Sequence, residues 1–189
     1  RTEGLNLPEL HLGLVQASEH PNLKVFISNA SDLIGKFLDI DYLLELAKPL
    51  KVRNNFQSYC PLPPLGGRIA IASDEAFSFT YASMIKGWRE AGAEIIPFSP
   101  LADESPDRNA DALYLPGGYP ELHAGRLASA SNFFSGMRAL AKNGATIFGE
   151  CGGYMVLGKG LTDALGVRHV MSGLLGLETI VLWRSIDLD

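Results

Sequence analysis

Ala145-Thr146-Ile147-Phe148-Gly149-Glu150-Cys151-Gly152-Gly153-Tyr154-Met155-Val156-Leu157-Gly158 is the stretch on which the reading of this chain turns. The apolar run at residues 145–148 reads as a buried strand, and residues 154–157 can start a helix. Between them lies a cysteine flanked by Gly149, Gly152 and Gly153. A strand that gives way so quickly to a helix must bend sharply, and glycine relieves the crowding at such a bend. The pattern is the thiol counterpart of a nucleophile elbow, which exposes a reactive atom at the carboxyl end of a sheet. The amino terminus of the helix then lies under the sulfur of Cys151, where its dipole favours thiolate. The Gly152 N–H can point at an oxyanion forming on an attacked carbonyl. A buried structural cysteine at a tight strand–helix junction has the same spacing.

Upstream, Asn143-Gly144 makes the turn into this strand, after a helix running from Ser129 or Ser131 to Lys142. Before that helix, Ala112-Leu113-Tyr114-Leu115 reads as a strand ending in Pro116-Gly117-Gly118-Tyr119-Pro120-Glu121. The polar loop holding Asp103, Glu104, Asp107 and Arg108 reads as solvated surface, and residues 93–98 as a further strand. Gly92 is the expected left-handed cap of a helix that begins at Asp74 and runs to about Ala91. Arg68-Ile69-Ala70-Ile71-Ala72 is the first strand of the series. Strand, helix, strand, strand, helix, strand predicts an α/β fold with a doubly wound parallel sheet. Ligands of such sheets bind beyond the strand carboxyl ends. Pro116-Gly117-Gly118 and Cys151 both fall there.

Residues 51–67 differ in character, with Asn54-Asn55 followed by Pro61, Pro63, Pro64, Gly66 and Gly67, which is linker chemistry. Cys60 lies inside it without a neighbouring His or carboxylate and reads as incidental. Residues 10–15 read as a short strand and residues 16–21 as a polar turn. From Asn22 the apolar Leu23, Phe26, Ile27, Ala30, Leu33 and Ile34 recur as on one helix face. A second short helix spans residues 41–47, capped by Asp39 or Asp41 and ended by Pro49. One strand and two helices, carrying His11 and His20, read as the closing elements of a larger α/β domain. With no initiator methionine before Arg1-Thr2-Glu3, the chain reads as a piece of a longer polypeptide.

Composition narrows the function classes. The 189 residues are 47 % hydrophobic, enough for a sizeable core. A net charge of −5 offers no electrostatic footprint for nucleic acid. No apolar run is long enough to span a bilayer. Two cysteines far apart fit a reducing, cytoplasmic setting.

Acyl transfer from an amide needs a nucleophile, a base, and donors for the oxyanion. Cys151 supplies the first; Gly152 and a backbone N–H of the Gly117-Gly118 turn supply the donors. At these residues the chain resembles a family. Gly149-Glu150-Cys151-Gly152-Gly153-Tyr154, with Leu115-Pro116-Gly117-Gly118-Tyr119-Pro120-Glu121 upstream, is similar to class I-type glutamine amidotransferases. More narrowly, it resembles the cobyrinic acid a,c-diamide synthase branch, hydrogenobyrinic acid a,c-diamide synthases included. The resemblance implies a flavodoxin-like sheet over residues 68–189, a linker at 51–67, and at 1–50 the end of a P-loop synthetase domain.

It also implies the chemistry. Cys151 is the nucleophile that releases ammonia from glutamine, and Gly118 and Gly152 form the oxyanion hole. Gly117, Tyr119 and Glu121 border the glutamine pocket, although Tyr119 and Glu121 can equally face solvent. ATP and Mg²⁺ serve the synthetase domain, which activates the a and c carboxylates of a corrinoid. No Gly-x-x-x-x-Gly-Lys-Ser/Thr occurs here, so neither cofactor nor metal is expected in this chain. A homodimer is compatible with the family. Met155 stands where many relatives have glutamine, and Glu150 is either structural or shapes the site. The family's catalytic histidine lies well downstream of the elbow, which implies a base beyond Asp189 and little activity in this stretch alone. His169 comes too early and reads as part of the Gly166-Val167-Arg168-His169 turn; His123 lies near the mouth of the site. Three other readings carry the same elbow: a cobyric acid synthase-type amidotransferase, a cysteine hydrolase or chaperone, and a catalytically silent docking domain.

Overall fold

A computed structural model describes residues 20–48 and 62–181, together with Leu5 and Ala17. The strand expected at residues 10–15, Cys60 and Pro49 lie outside the described residues. The chain divides into two compact units, Arg1–Gln57 and Ser58–Asp189. In the first, α1 (Leu23–Phe37) follows the apolar repeat that begins after Asn22. In α2 (Ile40–Leu46), Asp39 is the cap, its carboxylate accepting the Tyr42 N–H at 3.0 Å. Neither helix has a buried residue, and Val25, Phe37 and Leu44 are exposed.

The second unit is built on four parallel strands: β1 (Arg68–Ala72), β2 (Glu94–Phe98), β3 (Ala112–Leu115) and β4 (Thr146–Gly149), in the order β2-β1-β3-β4. This is a doubly wound, flavodoxin-like order. Side chains alternate across the central strands. Ile69, Ile71, Ala112 and Tyr114 meet Trp88 of α3 (Ala82–Glu90) on one face. Ala70, Ala72, Leu113 and Leu115 meet Leu127 of α4 (Ala124–Ala128) and Phe133, Met137 and Leu140 of α5 (Ser131–Lys142) on the other. Gly92 has φ 92° and ends α3 as a left-handed cap.

Three features differ from expectation. The helix expected from Asp74 to Ala91 is broken: a 3-10 turn, Glu75–Phe77, is followed by extended chain before α3. The Phe79 N–H donates to the Gly117 carbonyl at 3.0 Å, and a distant bridge of this kind prevents helical continuation. The loop at residues 103–108 is more than solvated surface. Asp103 accepts the Asn132 and Phe133 N–H groups and so caps α5 from a distance, while Asp107 pairs with Arg68 at 3.2 Å. Finally, a second sheet follows the elbow, with β5 (Gly160–Thr162) between β6 (Arg168–Val170) and β7 (Glu178–Ile180).

His169 therefore lies in β6, antiparallel to β5, and not in the turn. Its Nε2 meets the Asp163 carboxylate at 2.8 Å, and that carboxylate also accepts the Leu165 and Val167 N–H groups. The His169 bond first, and the backbone bonds with it, hold the Asp163 carboxyl below the usual aspartate range. A carboxyl lowered on folding stabilises the fold above its unfolded pKa and loses that contribution as pH falls through the folded one. Asp163→Asn should therefore give a shallower fall in thermal midpoint on going from about pH 5 to about pH 2. An acid limb of unchanged slope would contradict the latch.

Candidate active site

Glu150 and Cys151 form the turn between β4 and α6 (Gly152–Val156). Cys151 has φ 48° and ψ −116°, and among the described non-glycine residues only Asp103 also has positive φ. Such a conformation persists where its surroundings over-determine it. The Glu150 N–H donates to the Leu115 carbonyl at 3.2 Å, the Gly153 N–H to the Glu150 carbonyl at 2.8 Å, and the Met155 N–H to the Cys151 carbonyl at 3.2 Å. Gly153 rides directly on β3: a Cβ there would strike the Leu115 carbonyl oxygen and lie 2.6 Å from its carbon. Cys151 is a free thiol and exposed, which removes the buried structural reading. Helix α6 has only five residues, so the dipole beneath the sulfur is that of little more than one turn.

The Pro116-Gly117-Gly118 turn reaches the same place from the end of β3. A Cβ on Gly117 would lie 3.3 Å from the Cys151 Cβ, and one on Gly152 would lie 2.8 Å from the Gly118 carbonyl oxygen and 2.5 Å from Pro120 Cδ. Gly118 packs so closely under the first 3-10 turn that a Cβ would collide with the Ala76 carbonyl oxygen. That turn is itself anchored by Asp74, which accepts the Ala76 N–H at 3.0 Å, the Leu101 N–H at 2.8 Å and the Ser99 hydroxyl at 2.9 Å. Among the described residues, neither the Gly118 nor the Gly152 N–H has an acceptor. Two unpartnered donors beside an exposed thiol are what an oxyanion requires.

Tyr119 and Glu121 are 1 % and 8 % exposed, so the solvent-facing alternative for them is corrected. The Tyr119 ring stands edge-on to Phe79 at 5.1 Å, forming wall behind the turn, while Gly117 is the one beside Cys151. His123 ends the 3-10 turn Pro120–His123, and no described histidine hydrogen-bonds to Cys151. For Asp74, Ala76 and Phe79 the sequence offers one signal, an aspartate two residues past the end of β1, which reads there as a helix start. Glu150 proves tied to the fold: Tyr114, on β3, donates its hydroxyl to Glu150 Oε1 at 2.9 Å. Burial, and then that bond, raise the Tyr114 phenol far above its usual range and keep it protonated.

A flavodoxin-like parallel sheet with a cysteine elbow facing a glycine turn defines the class I glutamine amidotransferase fold. The chain matches the CobB/CobQ-like glutamine amidotransferase domain over residues 68–186 and belongs to that family. Over 188 residues it is 53 % identical to a hydrogenobyrinate a,c-diamide synthase of Brucella anthropi, covering 100 % of this chain and 43 % of the relative. The Rhizobium meliloti protein of the same name is 54 % identical over 175 residues, 93 % of this chain and 40 % of that one. The Agrobacterium fabrum protein is 50 % identical over 188 residues, 100 % of this chain and 42 % of its own length. The chain thus spans about two-fifths of the curated relatives it matches.

The elbow should be far less tolerant of a methyl group than an open turn. Gly153→Ala is expected to cost about 2–3 kcal/mol, because backbone and not a flexible side chain blocks the new atom. Gly92→Ala, at φ 92° with nothing within 4 Å, should cost about 1 kcal/mol. Equal losses in urea denaturation would show that the elbow is looser than these contacts imply.

Proposed function

We propose that this chain is the glutaminase portion of an ATP-dependent, glutamine-hydrolysing ligase that amidates the a and c carboxylates of cobyrinic or hydrogenobyrinic acid in cobalamin biosynthesis. The observation that carries it is the exposed Cys151 thiol, at positive φ, beside the unpartnered Gly118 and Gly152 N–H groups. The Cys151 thiolate attacks the carboxamide carbon of glutamine, and the two N–H groups bind the oxygen as it becomes anionic. As the tetrahedral intermediate collapses, the amide nitrogen takes a proton, equivalent to the one the thiol gave up, and leaves as ammonia, with a thioester remaining on Cys151. Water then cleaves the thioester to glutamate and free thiol. Gly117, lacking a side chain, leaves room for the substrate beside the sulfur, with Tyr119 and Glu121 behind it.

The names of the relatives favour the a,c-diamide branch over a cobyric acid synthase. Residues 1–50 are read as the end of the synthetase domain, in line with the exposed apolar side chains of α1 and α2. ATP and Mg²⁺ chemistry belongs to that domain. Among the described residues no group of three or more His, Cys, Asp or Glu converges as a metal site. No described helix is long and apolar enough to cross a membrane. With no described histidine bonded to Cys151, glutamine hydrolysis by this chain alone is expected to be slow.

A diazo-ketone analogue of glutamine tests the reading without needing turnover. It should alkylate Cys151 and spare Cys60, because holding the amino-acid end brings the electrophilic carbon to one sulfur only. Excess glutamine should slow the labelling, and Cys151→Ser should abolish it. Equal modification of both cysteines, read by peptide mass spectrometry, would point to general thiol reactivity and a silent domain.

A further inference from the structure

We propose that Tyr114, acting through Glu150, is a positioning residue for the nucleophile: it holds the peptide that enters Cys151. The role rests on Cys151 being the glutamine nucleophile.

Two consecutive residues of β3 grip one residue of the elbow. Leu115 accepts the Glu150 N–H at 3.2 Å, and Tyr114 donates its hydroxyl to the Glu150 carboxylate at 2.9 Å. The Glu150 carbonyl is held in turn by the Gly153 N–H at 2.8 Å. With its N–H, carbonyl and side chain all fixed, Glu150 sets the plane from which Cys151 departs at φ 48°. A strained residue relaxes when a neighbour is released.

Tyr114 is suited to the task because it cannot move. It is 0 % exposed, with the Trp88 ring edge-on at 5.7 Å and the Phe148 ring stacked at 5.6 Å. Its phenol stays protonated and so remains a donor at any working pH. Glu150, by contrast, borders a groove of about 530 Å³ lined by Leu65, Tyr81, Met84, Trp88 and Phe148. Without the Tyr114 hydroxyl, a carboxylate at that border turns towards water and takes the elbow peptide with it. The side chain of Glu150 needs to accept a hydrogen bond; it does not need a charge.

That distinction makes the test. Saturation kinetics of Cys151 labelling by the diazo-ketone separate binding from the reaction rate. Tyr114→Phe should lower the maximal rate about tenfold, the loss of one buried hydrogen bond, with half-saturation unchanged. Glu150→Gln keeps an acceptor oxygen and should stay within about twofold of the parent, whereas Glu150→Ala should match Tyr114→Phe. The Tyr114→Phe/Glu150→Ala pair should be no slower than either single change, as for two halves of one interaction. Should Tyr114→Phe fold poorly, Glu150→Ala against Glu150→Gln carries the same comparison. An unchanged rate in Tyr114→Phe, equal losses in Glu150→Gln and Glu150→Ala, or additive losses in the pair would overturn the proposal. If the parent shows neither saturation nor protection by glutamine, the glutamine reading has failed. The positioning role is then read from the rate of Cys151 alkylation by iodoacetamide in the same variants, where the same pattern supports it and its absence overturns it.

Discussion

Three backbone segments converge at the carboxyl end of this sheet with no room between them for side chains. Gly153 sits on the Leu115 carbonyl, Gly152 on Gly118 and Pro120, and Gly118 on the Ala76 carbonyl. Interior packing at native density tolerates no added atoms, so the spacing between the Cys151 backbone and the glycine turn is set largely by main chain against main chain. Backbone donors fixed in this way are of the kind that stabilise developing charge without reorganisation.

The rest of the domain serves that convergence. β3 is the element through which the grip is exerted. It is flanked by β1 and β4, its side chains enter both cores, and its last residues hold the elbow. Asp74 ties the end of β1 to the end of β2 through Ser99 and Leu101, which fixes the 3-10 turn against which Gly118 packs. The Phe79–Gly117 bridge takes the chain out of helix and braces the glycine turn from outside. The Cys151 thiol and the Gly117-Gly118 turn are thus held by different elements that share one central strand.

Local signals made much of this legible. β1 and β3 have the bounds that their apolar runs predict, because turn residues punctuate both ends. Gly92 was readable as a left-handed cap because the apolar helix pattern stops just before it. Contacts distant in sequence were not legible. The break in the helix after Phe77 is imposed by Gly117, and the cap of α5 comes from Asp103. Tyr114 and Glu150 meet across 36 positions, with no periodicity to announce them. The three-residue strands β5, β6 and β7 are too short for an alternation to register, which is why His169 read as part of a turn. Cys151 and the Gly117-Gly118 turn could be paired from sequence because the doubly wound pattern places both at strand carboxyl ends. The burial of Tyr119 and Glu121 depends on contacts distant in sequence and has no local signal.

The central claim is that Cys151 and the two glycine N–H groups address one carbonyl. A crystal structure of the covalent adduct formed with the diazo-ketone analogue tests it most directly, since the ketone oxygen of that adduct stands where the glutamine amide oxygen is held. The account predicts this oxygen at about 3 Å from both the Gly118 and the Gly152 nitrogens. A ketone oxygen directed to solvent, with both N–H groups left unbonded, would contradict it.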